Sequence, residues 1–187
     1  TGGHGDFRMP NEIPRDPNGT PSYAERINAA MIADNPDDVR RCAREQLMMG
    51  ASQLKLMAGG GVSSFYDPID VSQYTEAEFR AAVEAAENWG TYVTVHAYTP
   101  KAIRTAVMAG VKCIDHGQLA DEETAKLMAE KDIWWSIQPF LEDEFSIPRS
   151  DPSQRAKQLQ VSDGTDTAVK LAKKYKIKTA WGTDVLF

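Results

Sequence analysis

The stretch Thr75-Glu76-Ala77-Glu78-Phe79-Arg80-Ala81-Ala82-Val83-Glu84-Ala85-Ala86-Glu87-Asn88-Trp89-Gly90, followed by Thr91-Tyr92-Val93-Thr94-Val95-His96, sets the architecture. Thr75 and Glu78 form a capping box, which opens a helix. Phe79, Ala82, Val83 and Ala86 fall at helical spacing and form its apolar stripe. Gly90 supplies the stop, and Tyr92-Val93-Thr94-Val95 reads as a β-rich strand. Downstream the unit recurs. Thr99-Pro100 starts a helix burying Ile103, Ala106 and Val107, with Gly110 as stop and Val111–Ile114 as strand. Asp121 opens the next, with Ala125 and Met128, before Ile133–Ile137. The last has Ala168, Leu171, Ala172 and Tyr175, then Ile177–Trp181. Upstream, Asn35-Pro36 opens a helix carrying Val39, Cys42, Ala43 and Leu47, stopped by Gly50 and followed by Leu54–Met57.

A helix followed by a short strand, five times over, implies parallel strands joined by helical crossovers. Two α/β architectures fit: a doubly wound open sheet and a (β/α)8 barrel. Both place their chemistry at the C-terminal ends of the strands. Five units fall three short of a barrel of about 250 residues. Residues 1–34, 59–74 and 139–162 are rich in turn residues and read as long loops. Trp89, Trp134, Trp135 and Trp181 read as core and helix-to-sheet packing, with Trp134 and Trp135 on opposite faces of their strand. Lys170, Lys173, Lys174, Lys176 and Lys178 read as a solvated helix end.

The 187 residues are 42% hydrophobic and 26% charged, enough for one well-cored domain. A net charge of −6 argues against nucleic acid as a partner, and no apolar run approaches the roughly 20 residues of a membrane span. Cys42 and Cys113 are too few for a disulfide scaffold, though one bridge is compatible with the count. A cytoplasmic location is the expectation, with the periplasm left open.

Several strands end on unusual residues. Lys55 lies in the first, His96 ends the second, His116 the third, Gln138 follows the fourth and Asp184 follows the fifth. On neighbouring parallel strands these side chains converge on one mouth. Two histidines and an aspartate are suitable ligands for one metal ion. A neutral lysine amine can add to carbon dioxide, lose a proton and become a carbamate able to bridge two metals. A binuclear hydrolytic site follows, in which the metals polarise a carbonyl and acidify a bridging water while Asp184 moves the proton to the leaving nitrogen. Each residue also has a plainer reading: a solvated edge lysine, a hydrogen-bonded structural histidine, an aspartate in a turn.

The chain resembles the amidohydrolase superfamily, in the branch that holds imidazolonepropionase-like proteins, Xaa-Pro dipeptidases (prolidases) and related metallo-carboxypeptidases. The resemblance is carried by Leu54-Lys55-Leu56-Met57-Ala58-Gly59-Gly60-Gly61-Val62, Asp67-Pro68-Ile69-Asp70, Val95-His96-Ala97-Tyr98-Thr99, Ile114-Asp115-His116-Gly117 and Gly182-Thr183-Asp184. It implies a (β/α)8 TIM barrel, here partial and comprising about strands 4 to 8, with residues 1–187 forming one piece of the catalytic domain. It implies one or two divalent metals, usually zinc. It implies Lys55 as the carboxylated bridging lysine, made from carbon dioxide, with His96, His116 and Asp184 as further ligands and Asp184 as proton shuttle. Tyr98 resembles the family's substrate-contacting tyrosine, able to hydrogen-bond an oxyanion. His4 resembles the loop histidine that faces the substrate carbonyl.

The family's first strand carries a His-x-His pair, and this sequence has none. The expectation is therefore a piece of a longer enzyme, with the first strands and a flanking β-domain outside it, and with little activity of its own. Its open sheet edges make pairing with a second copy, a homo-oligomer, the expected association. The leading function is metal-dependent hydrolysis of a C–N amide bond in a dipeptide or peptide C-terminus, with cyclic-amide hydrolysis of the imidazolonepropionase type as the rival. The absent His-x-His also suits a non-catalytic scaffold. A phosphate site on Gly59-Gly60-Gly61 is a further alternative, weakened because no Lys-Ser/Thr follows and the next helix starts too late.

Overall fold

The computed structural model describes residues 20–184. The elements are α1 (Tyr23–Arg26), α2 (Pro36–Met48), β1 (Leu54–Met57), α3 (Glu76–Asn88), β2 (Val93–Ala97), α4 (Pro100–Met108), β3 (Cys113–His116), α5 (Glu122–Glu130), β4 (Trp134–Ile137), α6 (Pro152–Lys174) and β5 (Lys178–Trp181). The five strands form one parallel sheet in the order β1-β2-β3-β4-β5. A doubly wound sheet reverses its strand order at a switch point. This order runs on without reversal, as it does along the wall of a (β/α)8 barrel.

Register separates the two faces. Leu56, Val95, Ile114 and Trp135 are successive partners across the sheet. With Leu54 and Val93 they join a core that also takes Phe79, Ile103, Met128 and Ala168 from the helices. Full burial of a Phe, Ile or Met side chain contributes roughly 1.5–3 kcal/mol each. The other face carries Lys55, Thr94 and Cys113 in one row, and His96, Asp115 and Ser136 in the next. One face thus holds the helices and the other holds polar side chains, which parallel pairing keeps in level rows.

Three expectations need correction. Residues 139–162 are not all loop, because α6 begins at Pro152 behind the N-cap Asp151, whose side chain accepts a hydrogen bond from Gln154 N–H. Asp151-Pro152 is the same start signal as Asn35-Pro36. Within residues 1–34, Ser22 and Glu25 form a capping box that starts the one-turn α1. Of the four tryptophans, Trp135 is fully buried, whereas Trp89, Trp134 and Trp181 are exposed. Trp89 is the C-cap of α3, beyond its apolar stripe. Trp134 lies on the polar face beneath the Lys178 ammonium, and Trp181 lies on β5, where all four residues are exposed. Trp134 and Trp135 do take opposite faces, as alternation requires. Cys42 and Cys113 form no disulfide with each other. Among the described residues, no helix is long and apolar enough to cross a membrane.

Candidate functional site

Strand ends and the turns after them bring the expected residues to one mouth. On β2, His96 is 4% exposed, and its Nε2 lies 2.9 Å from the Gly60 carbonyl. A carbonyl only accepts, so Nε2 carries a proton and donates it in this contact. On β3, His116 is 2% exposed, and its Nδ1 lies 2.7 Å from Gln138 Oε1. Gln138 donates its amide N–H to Ser136 O, so its oxygen faces the imidazole. Nδ1 of His116 is then the protonated nitrogen, and its lone pair is on Nε2. The two imidazole centroids are 4.5 Å apart, and Tyr98 lies 5.0 Å from each.

His116 reaches this place against the strand alternation. Its partner Ala97 belongs to the helix-facing core, so regular β geometry would turn His116 the same way. His116 instead has φ +78° and Gly117 has φ +74°. The left-handed turn takes the ring out of the strand pattern. A non-glycine residue in that region costs roughly 1–2 kcal/mol. The Trp135 indole N–H, donating to His116 O at 2.8 Å, helps hold it there. A Cβ on Gly117 would lie 2.2 Å from that indole nitrogen, so the indole requires glycine next to the histidine.

Electrostatics follow from the burial. Burial, and then the Lys55 ammonium, push the His116 pKa down to about 4, against smaller upward pulls from Asp184, Asp115 and Gln138. Burial holds the Tyr98 phenol well above its ordinary pKa; Asp184 adds to this and Arg149 opposes it. Asp184 therefore lies near enough to act on both residues, on exposed backbone at φ +53° three residues past β5. Lys55, part-exposed, is ion-paired with Asp115 at 3.1 Å. Thr94 donates its hydroxyl to the same carboxylate oxygen at 3.1 Å.

Lys55, His96, Tyr98, His116 and Asp184 thus share one end of the sheet, while His4 lies outside the described residues. Among the described residues, no three His, Cys, Asp or Glu side chains form a ready-made metal cluster. The donor chemistry nevertheless fits a metal: two buried imidazoles lie side by side, each with one ring nitrogen on an oxygen of the protein, and burial keeps that of His116 neutral. Sequence reasoning missed Asp115 as the partner of Lys55 and gave Gln138 no role. A charged residue inside a short strand, level with His96, was the available signal for Asp115. Gly60 and Gly61 make their contacts here through carbonyls, to His96 and Lys157, which is not how a glycine loop cradles phosphate.

With this geometry in view, the relatives are informative. The profile of the Amidohydrolase family matches residues 14–186, and the chain belongs to that family. It is 40% identical to a protein whose crystal structure is described as an amidohydrolase, with a TM-score of 0.83 over 99% of this chain and 46% of that one. It is 38% identical to a prolidase solved with N-methylphosphonate-L-proline, with a TM-score of 0.84 over 98% of this chain and 45% of that one. It is 39% identical over 102 residues to Aspergillus niger ochratoxinase, covering 54% of this chain and 21% of that protein. The chain therefore spans under half the length of these solved relatives and about a fifth of the curated one.

Proposed function

We propose that this chain belongs to a metal-dependent hydrolase that cleaves a C–N amide bond, with a dipeptide or peptide C-terminus as substrate. The observation that carries the reading is the pair of buried imidazoles beside Tyr98 at the C-terminal ends of parallel strands. Similarity to a prolidase bound to a phosphonate of proline supports the substrate class.

His96 and His116 would hold the metal, joined by Asp184 and by Lys55 as a carbamate. A divalent metal such as zinc supplies Lewis acidity toward a substrate carbonyl and toward water. The protein's own groups do the rest. Tyr98, kept protonated by burial, donates its hydroxyl to the oxygen that gains charge as the carbonyl is attacked. Asp184, on exposed backbone, takes a proton from water and delivers it to the departing amine nitrogen. Asp115 holds the Lys55 side chain near the row of His96, and its carboxylate is placed to take the ammonium proton that must leave before carbon dioxide adds to the amine.

The test is hydrolysis of Xaa-Pro dipeptides and N-acyl amino acids by the full-length protein, loaded with zinc, alongside metal content. The expected result is turnover that depends on metal and falls by about 10²–10⁴-fold in Asp184→Asn, the size of a lost general acid–base group. Turnover that survives complete metal removal, or is unchanged in Asp184→Asn, would overturn the reading.

A further inference from the structure

We infer that Gly164, midway along α6, is a positioning residue: it lets the helix seat against the loop after β3, and that loop carries Tyr98 on one side and Gln138 on the other. The inference rests on the proposed hydrolysis for its significance, though not for its geometry.

Helix α6 has 23 residues, against 9 each in α4 and α5. Its C-terminal half behaves as an ordinary crossover helix, with Ala168 and Ala172 in the main core. Its N-terminal half packs elsewhere. Val161, 1% exposed, joins Tyr98 and Ile69 in a separate apolar cluster. Gln154 donates to Ser63 O at 2.6 Å and Lys157 to Ser64 O at 2.9 Å, both in the loop after β1. Thr165 donates its hydroxyl to Phe140 O at 2.7 Å, in the loop after β4. The helix is thus tied down on both sides of position 164.

In the interior of a helix, glycine ranks below every residue but proline. Gly164 is itself helical, so conformational freedom does not account for it. Space does. A Cβ there would lie 2.2 Å from Gln118 O, 2.9 Å from Gln118 C and 3.1 Å from Leu119 Cδ2. The backbone of Gln118 therefore fills the place that a side chain on α6 would take.

Gln118 and Leu119 form a hub between strand ends. Gln118, 1% exposed, donates its amide N–H to Gln138 O at 3.1 Å. Leu119 N–H donates to Tyr98 O at 3.1 Å. An added Cβ could not be relieved by tilting α6, whose ties on both sides resist it, so Gln118 and Leu119 must shift. Tyr98 and Gln138 then lose hydrogen bonds that place their backbones. Gly164 acts only through these residues.

The experiment uses the full-length protein and three variants. They are Gly164→Ala, Asp163→Ala as a control at the exposed neighbouring position, and Gln118→Met, which keeps the bulk but removes the donor to Gln138 O. Hydrogen exchange of the metal-free protein, read by mass spectrometry, is expected to quicken about tenfold in Gly164→Ala over residues 117–120 and 138–140, and to stay as in wild type over 100–108. With zinc and an Xaa-Pro dipeptide, kcat per folded, metal-loaded molecule is expected to fall about 100-fold, the size of a misplaced group, while KM holds. Loss of overall stability alone would not lower that kcat. Asp163→Ala is expected to match wild type in both readouts. Unchanged exchange over the two segments, a rise spread evenly along the chain, an unchanged kcat, or the same changes in Asp163→Ala overturns the inference. If Gly164→Ala does not fold, Gln118→Met decides: faster exchange over 138–140 with kcat about tenfold lower supports it, and wild-type values overturn it. If wild type hydrolyses none of the dipeptides, the exchange pattern alone decides. Hydrolysis with an undisturbed exchange pattern sinks the inference and leaves amide hydrolysis standing.

Discussion

Strands β2 and β5 are built from the same kind of unit and end in opposite conditions. All five residues of β2 are buried, while all four of β5 are exposed. β2 has a paired strand on each side, whereas β5 pairs with β4 alone among the described residues. The apolar face of β2 joins the core under the helices, and its polar face holds His96 against the loop after β1. Trp181 has no comparable cover and is 74% exposed. The difference teaches that a strand's own sequence does not bury it. Neighbours on both edges and cover on both faces do, and the most deeply buried site residues, His96 and His116, sit where those neighbours are complete.

Three substitutions or conditions would sharpen or break this contrast. The largest effect belongs to the paired variants Trp135→Ala and Trp181→Ala, compared by urea denaturation. Trp135 is fully buried, and its loss should cost about 3–5 kcal/mol, as large aromatic truncations in cores do. The same change at exposed Trp181 should stay within about 0.5 kcal/mol. Equal costs at the two positions would erase the distinction between interior and edge.

Next comes Gln138→Leu, which removes the oxygen that orients His116 while leaving the core untouched. Zinc affinity, measured by competition with a chelator, should fall roughly 10–100-fold, the range for the outer partner of a ligating histidine. An unchanged affinity would show that Gln138 does not select the tautomer.

The smallest effect is at the surface. Glu122, at the start of α5, accepts from Lys174 Nζ at 2.6 Å and from the Tyr175 hydroxyl, at the end of α6. These hydrogen bonds, Lys174 first, hold its carboxyl down at about 2 from an ordinary 4.5. A carboxylate whose pKa is lower in the folded state contributes stability above pH 4.5 and loses it as pH falls towards 2. Both side chains are about half exposed, so screening keeps the contribution small. Thermal denaturation of Glu122→Gln should show a slightly shallower acid loss in that window than wild type, and parallel curves would remove the pair from the account.

Much of the fold was legible because its signals are local. Thr75 with Glu78, Asn35 with Pro36, and the stripe through Phe79 and Ala82 each specify an element from residues four or fewer apart. The start of α6 was missed although Asp151-Pro152 is an equally local signal, because the surrounding Pro, Ser and Asp residues read as loop. At the site, His96 and His116 were legible near strand ends and Lys55 as a charge inside β1. Their partners were not. Gly60, Gln138 and Asp115 reach them across the sheet, and nothing in the spacing of either segment encodes that meeting.

The amino-acid sequence alone determined the alternation of helix and strand, the choice of parallel pairing and the candidate side chains at the strand ends. It could do so because caps, stops and apolar periodicity act over a few residues. Only the tertiary structure decided which way His116 faces, which of its ring nitrogens carries the proton, and that a lysine of the last helix sits within the loop of the first strand. Those depend on atoms brought together from 19 or more positions apart, where burial and unmet hydrogen bonds select one arrangement.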